Sequence, residues 1–296
     1  MCLHGEKMAG EHGPRATKLE SRVVEAFGDE WTRFDQSGLS VAERERIFAD
    51  YFRVFPWHRL PPGGGSGADI GCGSGRWAAV VAPRVARLRL VDSSDAALAV
   101  ARTNLKRLSN VVFEHASVDA MQVPDESLDF AYSLGVLHHV TDTARAVGVV
   151  ATKLKPGAPF LLYLYYAFDN RPFWYRWLWR VTDAARQAIA RLPHGPRYLV
   201  TQLIAVICYW PLARLARGLE HVRALPAAWP LAYYRDKSFY VMRNDARDRF
   251  GTVLERRFTR RQIATMLARA GFEEIAFSDH PPYWCATGVK GGQGPR

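Results

Sequence analysis

Cysteine and clustered metal ligands are scarce in this chain of 296 residues. The four cysteines, Cys2, Cys72, Cys208 and Cys285, are widely spaced and form no C-x-x-C pair. This spacing excludes a disulfide framework and a cysteine-based zinc site, and it suits a reducing compartment. We therefore expect a cytoplasmic protein that carries no metal, and we leave open a peripheral contact with a membrane.

Apolar runs long enough to cross a bilayer are also missing. The longest, YLVTQLIAVICYWPLA, has sixteen residues and contains a proline, whereas a spanning helix needs about 20 apolar residues. The opening residues, MCLHGEKMAGEHGPRATK, contain no apolar core of the kind found in signal peptides. We expect neither a transmembrane segment nor a secretory signal, and we interpret residues 1–18 as a disordered lead-in.

Negative charge is in deficit, since 40 Lys and Arg face 29 Asp and Glu and leave a net charge of +11. Such a surplus favours acidic partners, including nucleic acid and anionic lipid headgroups. Because the basic residues are scattered along the chain, we interpret most of them as solvated surface.

The sequence is rich in short apolar strands that alternate with amphipathic helices, which is typical of a parallel α/β sheet. This alternation occupies residues 65–167 and resumes over 255–290, where two strands follow each other without an intervening helix. Residues 19–60 carry apolar residues at helical spacing and are predicted to form a helical N-terminal cap. Residues 168–240 break the alternation with tryptophans and prolines, which predicts a helical insertion.

A glycine-rich loop, DIGCGSGRW over residues 69–77, follows the first strand and fits two registers. From Gly73 it satisfies G-x-G-x-x-G/A, the dinucleotide pattern. From Asp69 it reads D-x-G-x-G-x-G, which resembles a loop of enzymes that bind an adenosyl cofactor without a pyrophosphate. Asp92 ends the second strand, where a carboxylate can bond both ribose hydroxyls, but this feature is common to both registers.

Several motifs together resemble those of the class I S-adenosylmethionine (SAM)-dependent methyltransferases. In chain order they are DIGCGSG, VDSS, HASVDAMQVPDESLDF, SLGVLHHV and LKPGAPFLLYLY. A dinucleotide enzyme has no reason to carry PDESLDF or LHHV, so the resemblance favours the adenosyl register. It implies a Rossmann-like, seven-stranded, mostly parallel α/β sheet with a terminal antiparallel strand. It also implies SAM as the cofactor and S-adenosylhomocysteine (SAH) as the product.

The resemblance further implies which residues hold the cofactor. Where the family often has Gly-Asp-Ala beside the adenine, this chain has Ala116-Ser117-Val118, so Ser117 or Asp119 must replace the missing carboxylate. Two aromatic residues of the N-terminal cap either close over the cofactor or pack in the core. The expected cofactor-binding residues are Asp69, Gly71, Cys72, Gly73, Gly75, Asp92, Ser93, Ser117, Val118, Asp119 and Ser133, with Trp31 and Phe34 from the cap.

Histidines follow the fourth strand, at the place where the family's acceptor meets the methyl group. A hydroxyl acceptor needs a base near neutral pH, and histidine suits that task. We expect His139 rather than His138 to be the base, with loop capping as the alternative role for both. Tyr163 and Tyr165 end the fifth strand near the same edge, and we expect them to bind the acceptor.

The insertion contains WYRWLWR, from which Trp174 and Trp177 are also expected to bind the acceptor. We weigh three interpretations of this segment: a lid over a hydrophobic or aromatic small molecule, a surface that takes an acceptor from a bilayer, and a nucleic-acid surface. The first is favoured and the last is the least favoured. We expect O- or N-methylation of a small-molecule acceptor, including lipid- or glycan-linked ones, in bacterial specialised metabolism or cell-surface biosynthesis. The alternatives are an RNA methyltransferase, a SAM-dependent cyclisation or rearrangement, and a non-catalytic SAM-binding regulatory protein.

Overall fold

A computed structural model describes residues 18–252 and 254–292, so most of the predicted lead-in lies outside the described residues. Its strands form one sheet in the order β3-β2-β1-β4-β5-β7-β6. The first five pair in parallel, and β7 runs antiparallel to both β5 and β6. The predicted fold class is confirmed. The strands are β1 (Ser66–Ile70), β2 (Arg87–Asp92), β3 (Val111–His115), β4 (Phe130–Leu134), β5 (Pro159–Tyr163), β6 (Phe272–Phe277) and β7 (Cys285–Lys290).

Helices cover both faces of the sheet, and further helices pack beyond the carboxyl ends of its strands. The helices are α1 (Lys18–Arg33), α2 (Val41–Phe52), α3 (Ala78–Val81), α4 (Asp95–Asn104), α5 (Thr143–Lys153), α6 (Phe173–Ala190), α7 (His194–Ile204), α8 (Trp210–His221), α9 (Phe239–Gly251) and α10 (Arg260–Arg269). Two precede the sheet, and five follow β5: α6, α7 and α8 lie in the predicted insertion (168–240), α9 begins at its end and continues the helical segment to Gly251, and α10 precedes β6.

The centre of the sheet is closely packed, which explains the small residues that open β1. A Cβ atom on Gly67 would lie 2.2 Å from the ring of Phe130 on β4. Phe130 is fully buried, so its ring has no space into which to move. Glycine in a strand interior commonly marks such a close approach.

The insertion is built around α9. Helices α6 and α7 both pack against it, as does the π-helical turn Ala205–Tyr209 that joins α7 to α8. Buried arginines bind α6 and α7 to the end of α9. Arg186 of α6 donates to the carbonyl of Thr252 over 2.9 Å, and Arg197 of α7 donates to that of Gly251 over 3.2 Å. The helices are therefore fixed to one another through hydrogen bonds as well as through apolar contacts.

The apolar run of the insertion belongs to a longer helix than its sixteen residues indicate. Helix α7, the π turn and α8 form one continuous stretch, His194–His221, because the π turn carries the chain past Pro211. This 28-residue stretch is long and apolar enough to cross a membrane by length and composition alone. The expectation that the run is too short to span is therefore wrong as to length. One side of the stretch nevertheless packs on the protein core, through Ala205, Tyr209 and Ala213.

Candidate active site

The glycine loop that follows β1 forms a cradle of backbone at the carboxyl edge of the sheet. Gly71 and Gly73 adopt left-handed φ angles of 76° and 53°. A Cβ atom on Gly71 would lie 2.3 Å from the side chain of Val136, and one on Gly73 would lie 2.8 Å from the Trp31 indole. Only glycine combines this backbone conformation with these close approaches. The loop can thus present its backbone closely to a ligand.

Asp92 lies at the end of β2 and faces this loop. Its Oδ2 accepts a hydrogen bond from the backbone N–H of Gly73, and its Oδ1 accepts one from the N–H of Ser94, both over 2.8 Å. Burial raises the pKa of this carboxyl, while the backbone donors oppose that rise. A carboxylate oxygen has a second acceptor direction, so Asp92 fits the expected pair of ribose hydroxyls.

Helix α1 lies across the cradle. The indole of Trp31 contacts Gly73, and Asn104 of α4 donates to the carbonyls of both Ser74 and Asp35 over 2.9 Å. Phe34 is buried 5.6 Å from the ring of Tyr240 on α9, which is a packing contact. Of the two cap aromatics, Trp31 therefore lies at the cradle, whereas Phe34 holds α1 to the insertion.

Other residues that the sequence predicts to bind the cofactor are buried within the carboxyl edge of the sheet and stabilise it. Asp69 is buried and accepts a hydrogen bond from the Tyr132 hydroxyl over 3.0 Å, and burial raises its pKa to about 8. The Ser133 hydroxyl is also buried and donates to the carbonyl of Ile70 over 2.9 Å. Burial raises the pKa of the Cys72 thiol, which keeps it protonated.

The loop after β3 supplies the predicted adenine side. Val118 is buried, whereas Ser117 and Asp119 are exposed and Asp119 lies 3.7 Å from Arg145 in an ion pair. Ser93 is exposed at the end of β2, where its carbonyl lies 3.0 Å from the His115 ring. Val118 thus offers an apolar contact, and the exposed residues around it offer polar groups at the surface.

The two histidines form a buried turn, Leu137–His139, directly after the Val136 that packs on Gly71. His139 Nδ1 lies 2.6 Å from the carbonyl of Leu254, and since a carbonyl can only accept, Nδ1 carries the proton. This tautomer leaves a lone pair on Nε2, which has no partner in the described structure. Burial lowers the pKa of His139 to about 4 and that of His138 well below its ordinary value, so both rings are neutral.

Tyr165, just beyond β5, connects the histidines to a carboxylate that the sequence interpretation overlooks. Its ring stacks on that of His138 at 4.0 Å, and its hydroxyl donates a short hydrogen bond to Asp248 of α9. Asp248 is enclosed, and its Oδ1 has no partner in the described part of the chain. Burial raises the pKa of Asp248 to about 7, and the hydrogen bond from Tyr165 opposes that rise.

Further tyrosines surround this group. Tyr163 lies 5.0 Å from the ring of Tyr51 and 6.1 Å from that of Tyr165. Tyr209 lies 5.2 Å from Tyr234, whose hydroxyl donates to Asp245 over 2.6 Å. The rings of this cluster are buried or nearly so. We call the set the inner chamber; its side chains are Tyr51, His138, His139, Tyr163, Tyr165, Tyr209, Tyr234, Asp245 and Asp248.

The structure does not bring Trp174 and Trp177 to the inner chamber. Both are on the exposed side of α6, with 42% and 64% of their surface accessible. The inward side of that helix instead carries Tyr175 and Trp179, which lie 5.3 and 5.8 Å from the Phe168 ring. Both sides of α6 are aromatic, so the sequence pattern alone does not show which side packs.

The order of the strands and the glycine cradle define a Rossmann-like domain with a nucleoside-binding edge. Residues 68–162 match the family model described as a methyltransferase domain. The chain therefore contains a methyltransferase domain, of the class I SAM-dependent type that the sequence predicts.

The relatives of this chain include proteins of the same class. It is 34% identical over 104 residues to an uncharacterized methyltransferase of Bacillus subtilis, covering 34% of this chain and 41% of that protein. It is 37% identical over 91 residues to a ubiquinone biosynthesis O-methyltransferase of Alkalilimnicola ehrlichii, covering 30% of this chain and 37% of that protein. The chain thus spans less than half the length of these two relatives.

A solved structure shares the architecture beyond the domain itself. Human N-acetylserotonin methyltransferase in complex with SAM aligns with a TM-score of 0.54 at 15% identity, covering 94% of this chain and 60% of that one. At this level of identity the likeness concerns the fold.

Proposed function

We propose that this protein transfers a methyl group from SAM to an oxygen or nitrogen atom of a small, largely hydrophobic acceptor. Acceptors of this kind include aromatic metabolites and lipid- or glycan-linked intermediates of bacterial biosynthesis. The observation that carries the proposal is the inner chamber, in which a neutral histidine and the Tyr165–Asp248 pair lie among aromatic rings. His138 of the chamber lies two residues after Val136, which packs on the glycine cradle.

The cofactor edge has the features that an adenosyl ligand needs. SAM, when bound, supplies a methyl group on a positively charged sulfonium, which is already activated for displacement. The cradle provides close backbone approach, Asp92 provides acceptors for the ribose, and Val118 provides an apolar contact for adenine. Positioning and exclusion of water are then the main contributions of the protein.

Proton removal from the acceptor is the remaining chemical task, and we assign it to Asp248. A base is most effective when its pKa lies near the working pH, and the pKa of Asp248 is raised to about 7 whereas that of His139 is lowered to about 4. The hydroxyl of Tyr165 holds one carboxylate oxygen of Asp248, and the other has no partner among the described residues. His139 Nε2 can accept a hydrogen bond from the acceptor and orient it.

The character of the chamber supports a small molecule over the alternatives. Stacked bases need open aromatic platforms beside a basic groove, but the rings of the chamber are enclosed by β5, α2 and α9. An acceptor that is apolar, with one ionisable or hydroxyl group, fits both the rings and the base.

The test is turnover with purified protein, SAM and a panel of phenols, catechols, aryl amines, amino sugars and polyprenyl-linked sugars. We expect one acceptor class to release SAH and to gain one methyl group by mass spectrometry. Conversion of the acceptor to a product of unchanged mass, without release of SAH, would instead indicate a cyclisation or rearrangement. Methylation of tRNA with steep salt dependence would support the RNA alternative, and SAH binding without turnover of any acceptor would support a regulatory protein.

A further inference from the structure

Exposed apolar side chains are concentrated on the outside of the insertion. Thirteen large apolar side chains are exposed in the described part of the chain, and twelve of them lie between Phe173 and Val222. On α6 they recur at helical spacing, as at Trp177 and Val181, and on α7 they continue through Leu199 and Leu203. We call the exposed side of α6, α7 and α8 in this interval the outer face. A concentration of exposed apolar side chains of this kind commonly marks an interaction site.

The outer face belongs to helices whose opposite side is packed in the protein. The opposite side of the stretch His194–His221 is buried against α9 and the core, at Thr201, Ala205, Tyr209 and Ala213. Tyr209, for example, packs on Tyr234 at the inner chamber. A helix with one side in the protein and the other side apolar and exposed is suited to lie along an interface.

The charge around the outer face is strongly positive. Residues 173–223 contain eight arginines and two carboxylates, which gives a net charge of +6. Arg186 and Arg197 are buried and bind backbone carbonyls. The exposed ones form no ion pair with any residue in the ranges 18–252 and 254–292; they are Arg176, Arg180, Arg191, Arg217 and Arg223.

We propose that the outer face docks the protein on the surface of a bilayer that contains anionic lipid. The apolar and tryptophan side chains enter the boundary between headgroups and acyl chains, and the arginines bind lipid phosphates. A second copy of the chain is a poorer occupant, because a symmetric dimer through this face would bring two sets of unpaired arginines together. The inference goes beyond the proposed methyl transfer and does not depend on which acceptor is used.

The test is co-sedimentation of the full-length protein with vesicles of phosphatidylcholine alone and with vesicles that also contain phosphatidylglycerol. We expect binding to the anionic vesicles and much weaker binding to the neutral ones. The double variant Leu203→Glu with Ile207→Glu should lose at least about tenfold in partitioning, because two exposed apolar side chains become charged. The matched control is Val41→Glu, which adds a charge at an exposed apolar position on α2.

A second pair of variants separates the charge from the apolar contact. Arg176→Gln with Arg180→Gln should weaken binding to anionic vesicles by about fivefold per arginine and leave the weak binding to neutral vesicles unchanged. The control is Arg261→Gln with Arg269→Gln on α10, a helix that packs against α5 and β6. SAH titration of every variant shows whether the cofactor edge remains folded.

Three results would overturn the proposal. The first is a wild-type protein that binds SAH but sediments with neither kind of vesicle. The second is a dimer that the Leu203→Glu, Ile207→Glu variant dissociates, which would make the outer face a protein interface. The third is vesicle binding that the outer-face variants and the Val41→Glu control weaken equally. Failure of methyl transfer with normal vesicle binding would instead count against the proposed function alone.

Discussion

The cofactor edge and the inner chamber of this protein are built in different ways. At the cofactor edge, the cradle is formed mainly by backbone groups and glycines, and the Asp92 carboxylate is held by the N–H groups of Gly73 and Ser94. The chamber is built from side chains of distant elements, and it contains polar atoms, including His139 Nε2 and Asp248 Oδ1, that have no partner within residues 18–252 and 254–292. Buried polar atoms of this kind are rare and call for an explanation. A polar acceptor that bonds them is the explanation that the proposed function provides.

This difference indicates that the two regions have different tasks: the cradle binds the cofactor, and the chamber selects the substrate. A backbone cradle is insensitive to most side-chain changes and can hold the same cofactor in many proteins. A chamber of side chains sets a particular substrate, because each ring and each carboxylate changes its shape or charge. Variants at the two regions should therefore affect different steps, and the following predictions test that separation.

The largest effect is expected from Asp248→Asn. Loss of the proposed base should lower kcat by about 10²–10⁴-fold while the affinity for SAH stays unchanged. In the wild type, kcat/KM should rise as the pH passes about 7, where Asp248 ionises, and the variant should lack this limb. Tyr165→Phe removes a hydrogen bond that lowers the pKa of Asp248, so it should move the limb to higher pH. A variant that keeps both its rate and its pH limb would eliminate Asp248 as the base.

The next largest effect concerns the ribose contact. Asp92→Ala should weaken SAH binding by about 100-fold or more, because two hydrogen bonds to a charged acceptor are lost, each worth about 1.5–3 kcal/mol. Calorimetric titration measures this change directly. Asp95→Ala is the control, since its carboxylate is 73% exposed at the start of α4. Equal affinities for wild type and Asp92→Ala would show that another residue binds the ribose.

Protonation of His139 in the unfolded chain should lower the free energy of unfolding in acid. The folded pKa of His139 is lowered from 6.5 to about 4, so the unfolded chain binds this proton more readily. The free energy of unfolding therefore falls as the pH drops through this window, by about 2 kcal/mol near pH 5 for this one residue. Urea unfolding of wild type and His139→Asn at neutral and acid pH measures the difference. Raised carboxyl pKa values, as at Asp69, have the opposite slope but are common to both proteins. Parallel pH dependences in the two proteins would contradict the prediction.

The smallest effect is expected where α1 crosses the cradle. Trp31→Ala should weaken SAH binding by about tenfold, through loss of an aromatic contact beside the cofactor. Phe34→Leu is the packing control, because its ring contacts Tyr240 rather than the glycine loop. If Trp31→Ala lowers the melting temperature without changing the affinity, Trp31 is a core residue, as the alternative interpretation holds.

The order of the elements at the cofactor edge could be predicted from the sequence because its signals are local, whereas the roles of the individual residues stay predictions. The glycines, Asp92 and the histidine turn each follow a strand directly, and parallel strands bring these ends together. The fold class and the methyltransferase domain follow from this order, and both are confirmed.

The chamber is less accessible to sequence reasoning. Tyr165 and Asp248 are 83 residues apart, and Asp248 lies in a helix where arginines obscure any apolar pattern. Trp174 and Trp177 are equally hard to orient, because α6 has aromatic residues on both sides. The length of the stretch His194–His221 also could not be predicted, because Pro211 indicates the end of a helix, whereas the π turn allows the helix to continue.

The most direct test of the account is calorimetric titration of the purified protein with SAH and, in parallel, with NAD. The glycine loop fits both an adenosyl and a dinucleotide pattern by sequence, and the methyltransferase domain decides between them. We predict SAH binding in the range of about 1–100 μM and no binding of NAD. Binding of NAD without SAH would contradict both the proposed function and the assigned cofactor residues, and only the fold would stand.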